Sequence, residues 1–137
     1  MMTEVGYFLI LLAAGILALY LQAHNQAAPL EPFKHKGTVS FVIDGDTIIL
    51  TDKIKLRLWG VDAPEKGEQG ASQATEFLKK LVDQKRISYT KTDTDKYGRT
   101  VARIFLKDGR EVNRLLIESG FTKEYCKYSK NYYGYCV

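Results

Sequence analysis

Two β-forming runs meet at an Asp-Gly pair in residues 41–50, which read FVIDGDTIIL. An Asp-Gly pair between apolar runs is a strong hairpin signal, because both residues accept the backbone angles of a tight turn. The chain is therefore constrained to reverse direction between Asp44 and Thr47. The same turn places the carboxylates of Asp44 and Asp46 at the ends of two strands. Taken alone, the stretch favours a plain turn over a functional site.

Five β-forming runs lie in the body of the chain, and turn or polar residues separate them. They span residues 37–43, 47–50, 54–59, 86–90 and 101–106. Apolar residues at helical spacing predict an amphipathic helix from Ser72, near its N-terminal cap, to about Gln84. A shorter helix is predicted to begin near Val112 and to end at Gly120.

This order of elements predicts an α+β fold that is mainly β. Five short strands with one inserted helix are typical of a five-stranded OB-fold Greek-key barrel. The predicted barrel carries two helices and follows an N-terminal hydrophobic helix. The pattern alone also permits a different α+β sheet.

An apolar segment precedes the body. Residues 5–21 form a run of seventeen residues without a charge, which suits a short membrane-spanning helix or a signal sequence. The run is apolar on every face and ends in a linker-like stretch, which disfavours a buried core helix. Glu4 in the flank and the lack of a small-x-small cleavage site favour an uncleaved anchor. We predict a signal or anchor segment with a linker at 1–28 and a globular domain at 29–137.

Two cues disagree about the side of the membrane on which the domain lies. The basic cluster Lys34, His35 and Lys36 favours the cytoplasm by the positive-inside rule. Cys126 and Cys136 instead fit an oxidising compartment. We predict a membrane-anchored or secreted protein with an extracytoplasmic domain, and the sequence leaves the sidedness open.

The body is basic, because all 20 Lys and Arg residues lie at Lys34 or later, with only 14 of the 16 acidic residues. A basic body favours a polyanionic partner, with nucleic acid first and an anionic membrane surface second.

Carboxylates interrupt the strands where the barrel is expected to end. Asp46, Asp62 and the Ala63 carbonyl are hard oxygen ligands of the kind that Ca²⁺ or Mg²⁺ prefers. The chain has two His residues and two Cys residues that are not clustered, so it offers no ligand set for zinc.

Arginines also lie where the barrel strands are expected to end. Arg57 and Arg99 are suited to bidentate contact with a phosphate, and Glu65 is a further carboxylate that could activate water. Positive charge on the phosphate and an activated water are what hydrolysis of a phosphodiester requires.

Three motifs in this order, DGDT at 44–47, RLWGVDAPE at 57–65 and TDKYGR at 94–99, resemble those of the staphylococcal nuclease (thermonuclease) family. The resemblance covers about residues 36–128. It implies a five-stranded OB barrel and Ca²⁺-dependent cleavage of DNA and RNA. Each motif alone would be an ordinary turn, strand or loop, and their joint occurrence in family order indicates an enzyme.

The resemblance also implies a calcium site. Asp46 and Asp62 would bind Ca²⁺ through their side chains, and Ala63 would bind it through its backbone carbonyl. The family usually has Thr at the position of Ala63, a difference of little consequence for a backbone ligand. Asp44 would support the site without binding the ion directly.

The remaining roles follow from the same motifs. Arg57 and Arg99 would bind the scissile phosphate and stabilise its transition state, and Glu65 would be the general base. The residues implied to bind the nucleotide are Lys96, Tyr97 and Tyr128. The implied partners are DNA and RNA, preferably single-stranded, and a monomer is expected.

Two departures from the family pattern affect these expectations. The loop at 66–73 is shorter than the loop common in the family, so we expect Glu65 to be held differently. The family usually continues into a third helix where this chain has a Tyr- and Lys-rich tail at 121–137. The tail would either cover the barrel face that this helix normally covers or stack on single-stranded bases. Cys126 and Cys136 are predicted to form a disulfide if the domain is exported.

Two other classes of function compete with a nuclease. One is a noncatalytic, membrane-tethered module that binds nucleic acid or protein through the barrel. The other is a tethered adaptor whose basic surface meets anionic lipid. Retention of Asp46, Asp62, Glu65, Arg57 and Arg99 favours the enzyme over both.

Overall fold

The computed structural model describes residues 4–24 and 35–137, which belong to two separate compact units. The N-terminal unit contains helix α1 (Glu4–His24), 21 residues long. Its stretch Glu4–Gln22 is long and apolar enough to cross a membrane, and none of that stretch is buried. The predicted hydrophobic helix is therefore confirmed. The predicted linker, with its boundary between residues 28 and 29, lies outside the described residues.

Within residues 35–137, seven strands form the sheets. They are β1 (His35–Asp44), β2 (Thr47–Leu50), β3 (Lys55–Leu58), β4 (Val61–Asp62), β5 (Arg86–Thr94), β6 (Thr100–Phe105) and β7 (Lys123–Glu124). Five of them close a barrel in the order β1-β2-β3-β6-β5, and β4 pairs with β7 in a separate two-stranded sheet. Only β3 and β6 pair in parallel within the barrel. The predicted α+β fold with a five-stranded OB-type barrel is confirmed.

In the same described range, three helices accompany the barrel, α2 (Ala71–Val82), α3 (Val112–Glu118) and α4 (Cys126–Ser129). The first two match the predicted helices, whereas α4 is too short to leave a helical pattern in the sequence. Ser72 lies near the N-terminal cap of α2, as predicted, but it is not the cap residue. The cap residue is Gly70, with a φ of 87°, and no side chain caps the helix. Ser72 already lies in the first turn, so its hydroxyl does not stand at the position from which a cap accepts a hydrogen bond.

The core is apolar and lies inside the barrel and under α2 and α3. Its largest fully buried side chains include Ile48, Leu50, Leu56, Leu58, Leu78, Ile104 and Leu116. One amide is buried with them. Asn113 donates to the carbonyls of Trp59 (2.8 Å) and Ala102 (3.1 Å) and accepts from the N–H of Ile104 (3.0 Å). These bonds satisfy the buried amide and fix α3 to the barrel.

The tail at 121–137 packs onto the barrel. The ring of Tyr133 is 4% exposed and belongs to the core. Gly60, with a φ of +70°, makes room for it, because a Cβ there would lie 3.0 Å from the Tyr133 ring. Cys126 and Cys136 form the predicted disulfide. The tail therefore covers a barrel face, as one of the two sequence hypotheses for this segment predicted.

A buried carboxylate holds the tail in place. Glu124, 7% exposed, accepts hydrogen bonds from the Ser129 hydroxyl and from the N–H groups of Tyr133 (3.0 Å) and Tyr135 (2.7 Å). Burial opposes ionisation of Glu124, but these three hydrogen bonds outweigh it and hold its pKa below the ordinary value of 4.5. The ionised carboxylate is thus the form that the folded tail stabilises.

We expect Glu124→Gln to lower the free energy of unfolding by about 1–3 kcal/mol at neutral pH, because buried donors lose a charged acceptor. A group whose pKa is lowered by folding contributes stability above its unfolded pKa and loses it as the pH falls through the folded value. The difference between wild type and variant should therefore be full at pH 7 and shrink steadily below pH 4.5. Denaturant unfolding at a series of pH values measures it. The control is Glu118→Gln, whose carboxylate is 43% exposed and 3.8 Å from Arg114. A difference that stays constant down to pH 3 would contradict the role given to Glu124.

Candidate functional site

The turn between β1 and β2 orders its own carboxylates. Asp44 Oδ1 accepts a hydrogen bond from the N–H of Asp46 (3.0 Å), and Asp46 Oδ1 accepts one from the Thr47 hydroxyl (2.9 Å). Thr47 is buried, which fixes the start of β2. The turn predicted from Asp-Gly is confirmed, and its hydrogen bonds hold Asp46 in one orientation.

The glycine of this turn is required by packing. A Cβ at Gly45 would lie 2.7 Å from the Cβ of Ala74 in α2 and 2.9 Å from the Cβ of Ala63, which follows β4. Real Cβ atoms do not approach so closely, and neither alanine has a flexible end that could move away. The turn therefore lies directly against α2 and against the segment after β4. This closeness lets the N–H of Ala63 donate to Asp46 Oδ2 over 3.2 Å.

Asp46 also contacts an arginine. Arg57 in β3 is the register partner of Thr47, and its Nη2 lies 3.4 Å from Asp46 Oδ2. The two side chains are only 13–15% exposed, so water screens their attraction less than at a surface. Arg57 Nη1 donates to the carbonyl of Leu58 (2.6 Å), which fixes the guanidinium. The turn, the segment at Ala63 and β3 therefore meet at one carboxylate.

The electrostatic environment of Asp46 favours an added positive charge. Burial raises its pKa to about 6 against the attraction of Arg57, and the neighbouring Asp44 adds to the rise. A carboxylate that is costly to ionise becomes easier to ionise beside a bound cation.

The donor chemistry around Asp46 fits a hard cation. Among residues 4–24 and 35–137, no three Asp, Glu, His or Cys side chains form a complete ligand cluster. Asp62 is exposed and adjoins Ala63, whose N–H already contacts Asp46. Asp46, Asp62 and the Ala63 carbonyl would provide oxygen ligands, and Ca²⁺ would take water for the remainder of its six to eight positions. The residues fit an ion that keeps several waters.

A cavity of about 640 Å³ brings together five of the predicted site residues. They are Arg57, Lys96, Tyr97, Arg99 and Tyr128. The cavity lies at the end of β3 and beside the loop that joins β5 to β6. Trp59 and Tyr125 also line it, so its wall combines cations with aromatic rings.

Asp95 positions the second arginine of this cavity. Its Oδ2 accepts from Nε of Arg99 (2.6 Å), and its Oδ1 accepts from the N–H groups of Tyr97 (3.0 Å) and Arg99 (2.9 Å). Burial opposes the ionised form, but these bonds hold the pKa of Asp95 below its ordinary value. In the described part of the chain, no hydrogen bond engages the two terminal nitrogens of Arg99. The guanidinium is thus oriented, with two donors available for a phosphate.

Cations lie over two exposed tyrosines of the cavity. Lys96 and Arg99 lie 5.1 Å and 5.4 Å from the ring centre of Tyr97, which is 71% exposed. Lys127 lies 5.6 Å from the ring centre of Tyr128. An aromatic face beside a cation suits a base that carries a phosphate.

The remaining predicted residues lie elsewhere. Asp62, Ala63 and Glu65 line a second cavity of about 630 Å³. Asp44 and Asp46 line neither cavity, but Asp46 contacts Arg57 of the first and Ala63 of the second. No described residue forms a hydrogen bond or ion pair with the Glu65 carboxylate, which is exposed.

Sequence reasoning missed three residues that shape the site. Asp95 lies inside TDKYGR, four residues before Arg99, and this i,i+4 spacing was an available signal. Trp59 packs against the core but is only partly buried, and it lines the cavity that contains Arg57 and Arg99, called the arginine cavity below. Asn113 left no signal, because its role depends on carbonyls that are distant in sequence.

Comparison with known proteins gives one consistent result. A family model described as staphylococcal nuclease homologue matches residues 55–135. The chain is similar to the thermonuclease of Staphylococcus hyicus, at 34% identity over an alignment of 143 positions that covers 89% of this chain and 82% of the relative. It is also similar to the thermonuclease of Staphylococcus intermedius, at 36% identity over an alignment of 127 positions that covers 78% of this chain and 73% of the relative.

A further relative is larger than this chain. An uncharacterized endonuclease of Escherichia coli is 34% identical over 96 residues, which cover 68% of this chain. The matched region is 63% of that relative, so the chain spans less than two thirds of its length.

Proposed function

Because this chain belongs to the staphylococcal nuclease family, we propose that it is a nuclease that hydrolyses phosphodiester bonds of DNA and RNA with the aid of Ca²⁺. The observation that carries the proposal is the pair of arginines in one cavity, of which Arg57 contacts Asp46. The phosphate gains negative charge during hydrolysis. Two guanidinium groups can stabilise that charge through paired hydrogen bonds, and the Asp46 carboxylate beside them favours a metal ion.

Arg57 and Arg99 have different roles in binding the phosphate. Arg99, with two terminal nitrogens available, donates to the non-bridging oxygens, and these hydrogen bonds strengthen as charge accumulates on them. Arg57 is held by Asp46 and by the Leu58 carbonyl, so it supplies a fixed charge in the same cavity. Tyr97, Tyr128 and Lys96 bind the base and the sugar of the adjoining nucleotide.

Asp46, Asp62 and the Ala63 carbonyl would hold the calcium ion, and Asp44 supports Asp46 through its hydrogen bond to the Asp46 N–H. When bound, the ion would neutralise phosphate charge and attract water. Glu65, unpaired with any described residue, accepts the proton of the attacking water. The water oxygen forms the new P–O bond, the bond to the sugar oxygen breaks, and the departing oxygen is protonated by solvent.

The cellular location of the protein is inferred from helix α1 and from the disulfide of the tail. Helix α1 is proposed to be a signal or membrane anchor, and the Cys126–Cys136 disulfide supports an oxidising, extracytoplasmic location for the body. We also propose that the body acts as a monomer and prefers single-stranded substrates, because the stacking rings of the cavity need unpaired bases.

Removal of calcium is expected to abolish hydrolysis. The full chain, purified in detergent, should cleave single-stranded DNA and RNA at millimolar-scale Ca²⁺, lose all detectable cleavage with excess chelator and regain it when Ca²⁺ is restored. Release of acid-soluble nucleotides measures this. Zn²⁺ is the matched control and should not restore cleavage, because the donors are hard oxygens. Undiminished cleavage in chelator would contradict the metal requirement.

A further inference from the structure

The aromatic wall of the arginine cavity continues onto the tail. Trp59, which lines the cavity, meets the ring of Tyr132 edge-on, with ring centres 5.4 Å apart and planes at 75°. Tyr132 does not line the cavity itself, and it is 49% exposed. The partly buried ring of Trp59 and the exposed ring of Tyr132 therefore form an aromatic surface that begins at the arginine cavity and extends onto the tail.

Neighbouring tyrosines of the tail have different environments. Tyr133 is 4% exposed, and its hydroxyl donates to Glu111, so its ring anchors the tail. Its neighbour Tyr132 packs edge-on against Tyr133 at 5.0 Å and leaves about half of its surface to solvent. Packing of the apolar barrel explains Tyr133, but it does not explain an exposed ring at Tyr132.

The exposed ring is held rigidly. The guanidinium of Arg103 lies 4.9 Å from the centre of the Tyr132 ring, and its Nε and Nη2 donate to the Glu111 carboxylate, at 2.9 Å and 2.7 Å. The Cys126–Cys136 disulfide closes the segment that carries Tyr132. A ring fixed before binding loses little conformational entropy when a ligand stacks on it.

We propose that Trp59 and Tyr132 form a second stacking subsite, which takes an unpaired nucleobase next to the nucleotide whose phosphate lies at Arg57 and Arg99. The ligand class is single-stranded DNA or RNA longer than one nucleotide. A planar base stacks on an aromatic face whatever its sequence, and a duplex cannot supply such a base without unpairing. The position of the cleaved phosphate rests on the function proposed above, whereas the stacking itself does not.

The chain contains one tryptophan, Trp59, so its fluorescence reports on this subsite directly. The experiment uses the full chain in detergent and chelator, where no cleavage is expected. The protein is titrated with a single thymidine nucleotide and, separately, with a strand of eight thymidine nucleotides. We expect the eight-nucleotide strand to quench Trp59 and to bind the wild type about ten-fold more tightly than Tyr132→Ala, as one lost stacking contact requires. Affinity for the single nucleotide should be the same for both proteins.

Three further variants separate stacking from folding. Tyr132→Phe keeps the ring and should bind as the wild type does. Tyr132→Leu keeps apolar packing against Trp59 without a ring face and should lose the same ten-fold. Tyr135→Ala removes a tyrosine of the same tail that is 51% exposed and has no ring contact with Trp59 in the described structure, and it should change nothing.

The outcomes are distinct. Equal affinity of wild type and Tyr132→Leu for the eight-nucleotide strand, or an equal loss for both ligands, would overturn the subsite. If the chain cleaves nucleic acid but Tyr132 has no effect, the subsite alone fails. If the length-dependent loss occurs but the chain never cleaves, the subsite stands and the proposed nuclease activity fails.

Discussion

Replacement of Arg99 by alanine is expected to lower turnover by about 10³-fold. The variant loses a preorganised hydrogen-bond donor to the negative charge that develops on the phosphate, and such a loss has an effect of this size. Arg99 is the cation of the cavity that is oriented through its Nε by Asp95 and has both terminal nitrogens available. The ion pair is partly exposed, at 28% and 20% for the two side chains, so its loss should change the free energy of unfolding by less than about 1 kcal/mol. Initial rates on single-stranded DNA and denaturant unfolding measure the two effects.

Arg110→Ala is the matched control. It removes an arginine–aspartate pair of similar geometry, Arg110 with Asp108 at 2.8 Å, on an exposed turn that lines neither cavity. We expect wild-type turnover from this variant. A drop of less than ten-fold for Arg99→Ala, or a drop fully accounted for by unfolded protein, would contradict the role assigned to Arg99.

Gly45→Ala is expected to lower both activity and stability, because the added methyl group collides with the backbone-fixed Cβ atoms of Ala63 and Ala74. Overpacking of this kind costs about 1–3 kcal/mol. The collision also pushes Asp46 away from the Ala63 N–H, and a displacement near 1 Å in a positioned group costs about 10²-fold in rate. We expect a folded variant whose kcat falls by about that factor and whose Ca²⁺ requirement rises.

Gly37→Ala tests whether any tight glycine would behave in this way. Its added Cβ would lie 2.7 Å from Leu50 Cδ1, the far end of a flexible side chain, and neither cavity includes Gly37. This control should keep full turnover. Adding Ala74→Gly to Gly45→Ala removes the closer collision and should recover part of the activity, at a cost of about 1 kcal/mol for a glycine inside α2. Full turnover in Gly45→Ala alone would show that the close packing of the β1–β2 turn against the segment at Ala63 does not affect the site.

Much of the barrel could be predicted because local signals and global fold agree. The Asp-Gly turn, the alternation in β3 and the apolar stripe of α2 each specify one element, and five such strands admit few arrangements. Strand β5 is longer than predicted and extends to Thr94. Its last residues are polar and show no alternation of apolar and polar side chains, but pairing with β6 holds them extended. Ser72 indicated the region of the α2 cap but not the cap residue, because the chain enters the helix through Gly70, which has no side chain that could form a capping hydrogen bond.

The site was less predictable than the fold. The motifs predicted which residues belong to the candidate site, but not that Glu65 and Asp62 line one cavity while Arg57 and Arg99 line another. That division depends on how the turn packs against α2 and the segment at Ala63, which are distant in sequence. The roles of Tyr132 and Tyr133 depend on which ring the barrel buries, and neighbouring residues of the same type give no signal for that choice.

One measurement tests most directly whether the chain is an enzyme. An end-labelled, single-stranded DNA is incubated with the full chain and Ca²⁺, and the same sample is divided between a native gel that detects binding and a denaturing gel that detects cleavage. A nuclease with the arginine cavity described above shortens the labelled strand, and Arg99→Ala binds it but leaves it largely intact. A wild-type chain that retards the strand in the native gel and leaves it at full length would instead be a noncatalytic nucleic-acid-binding module.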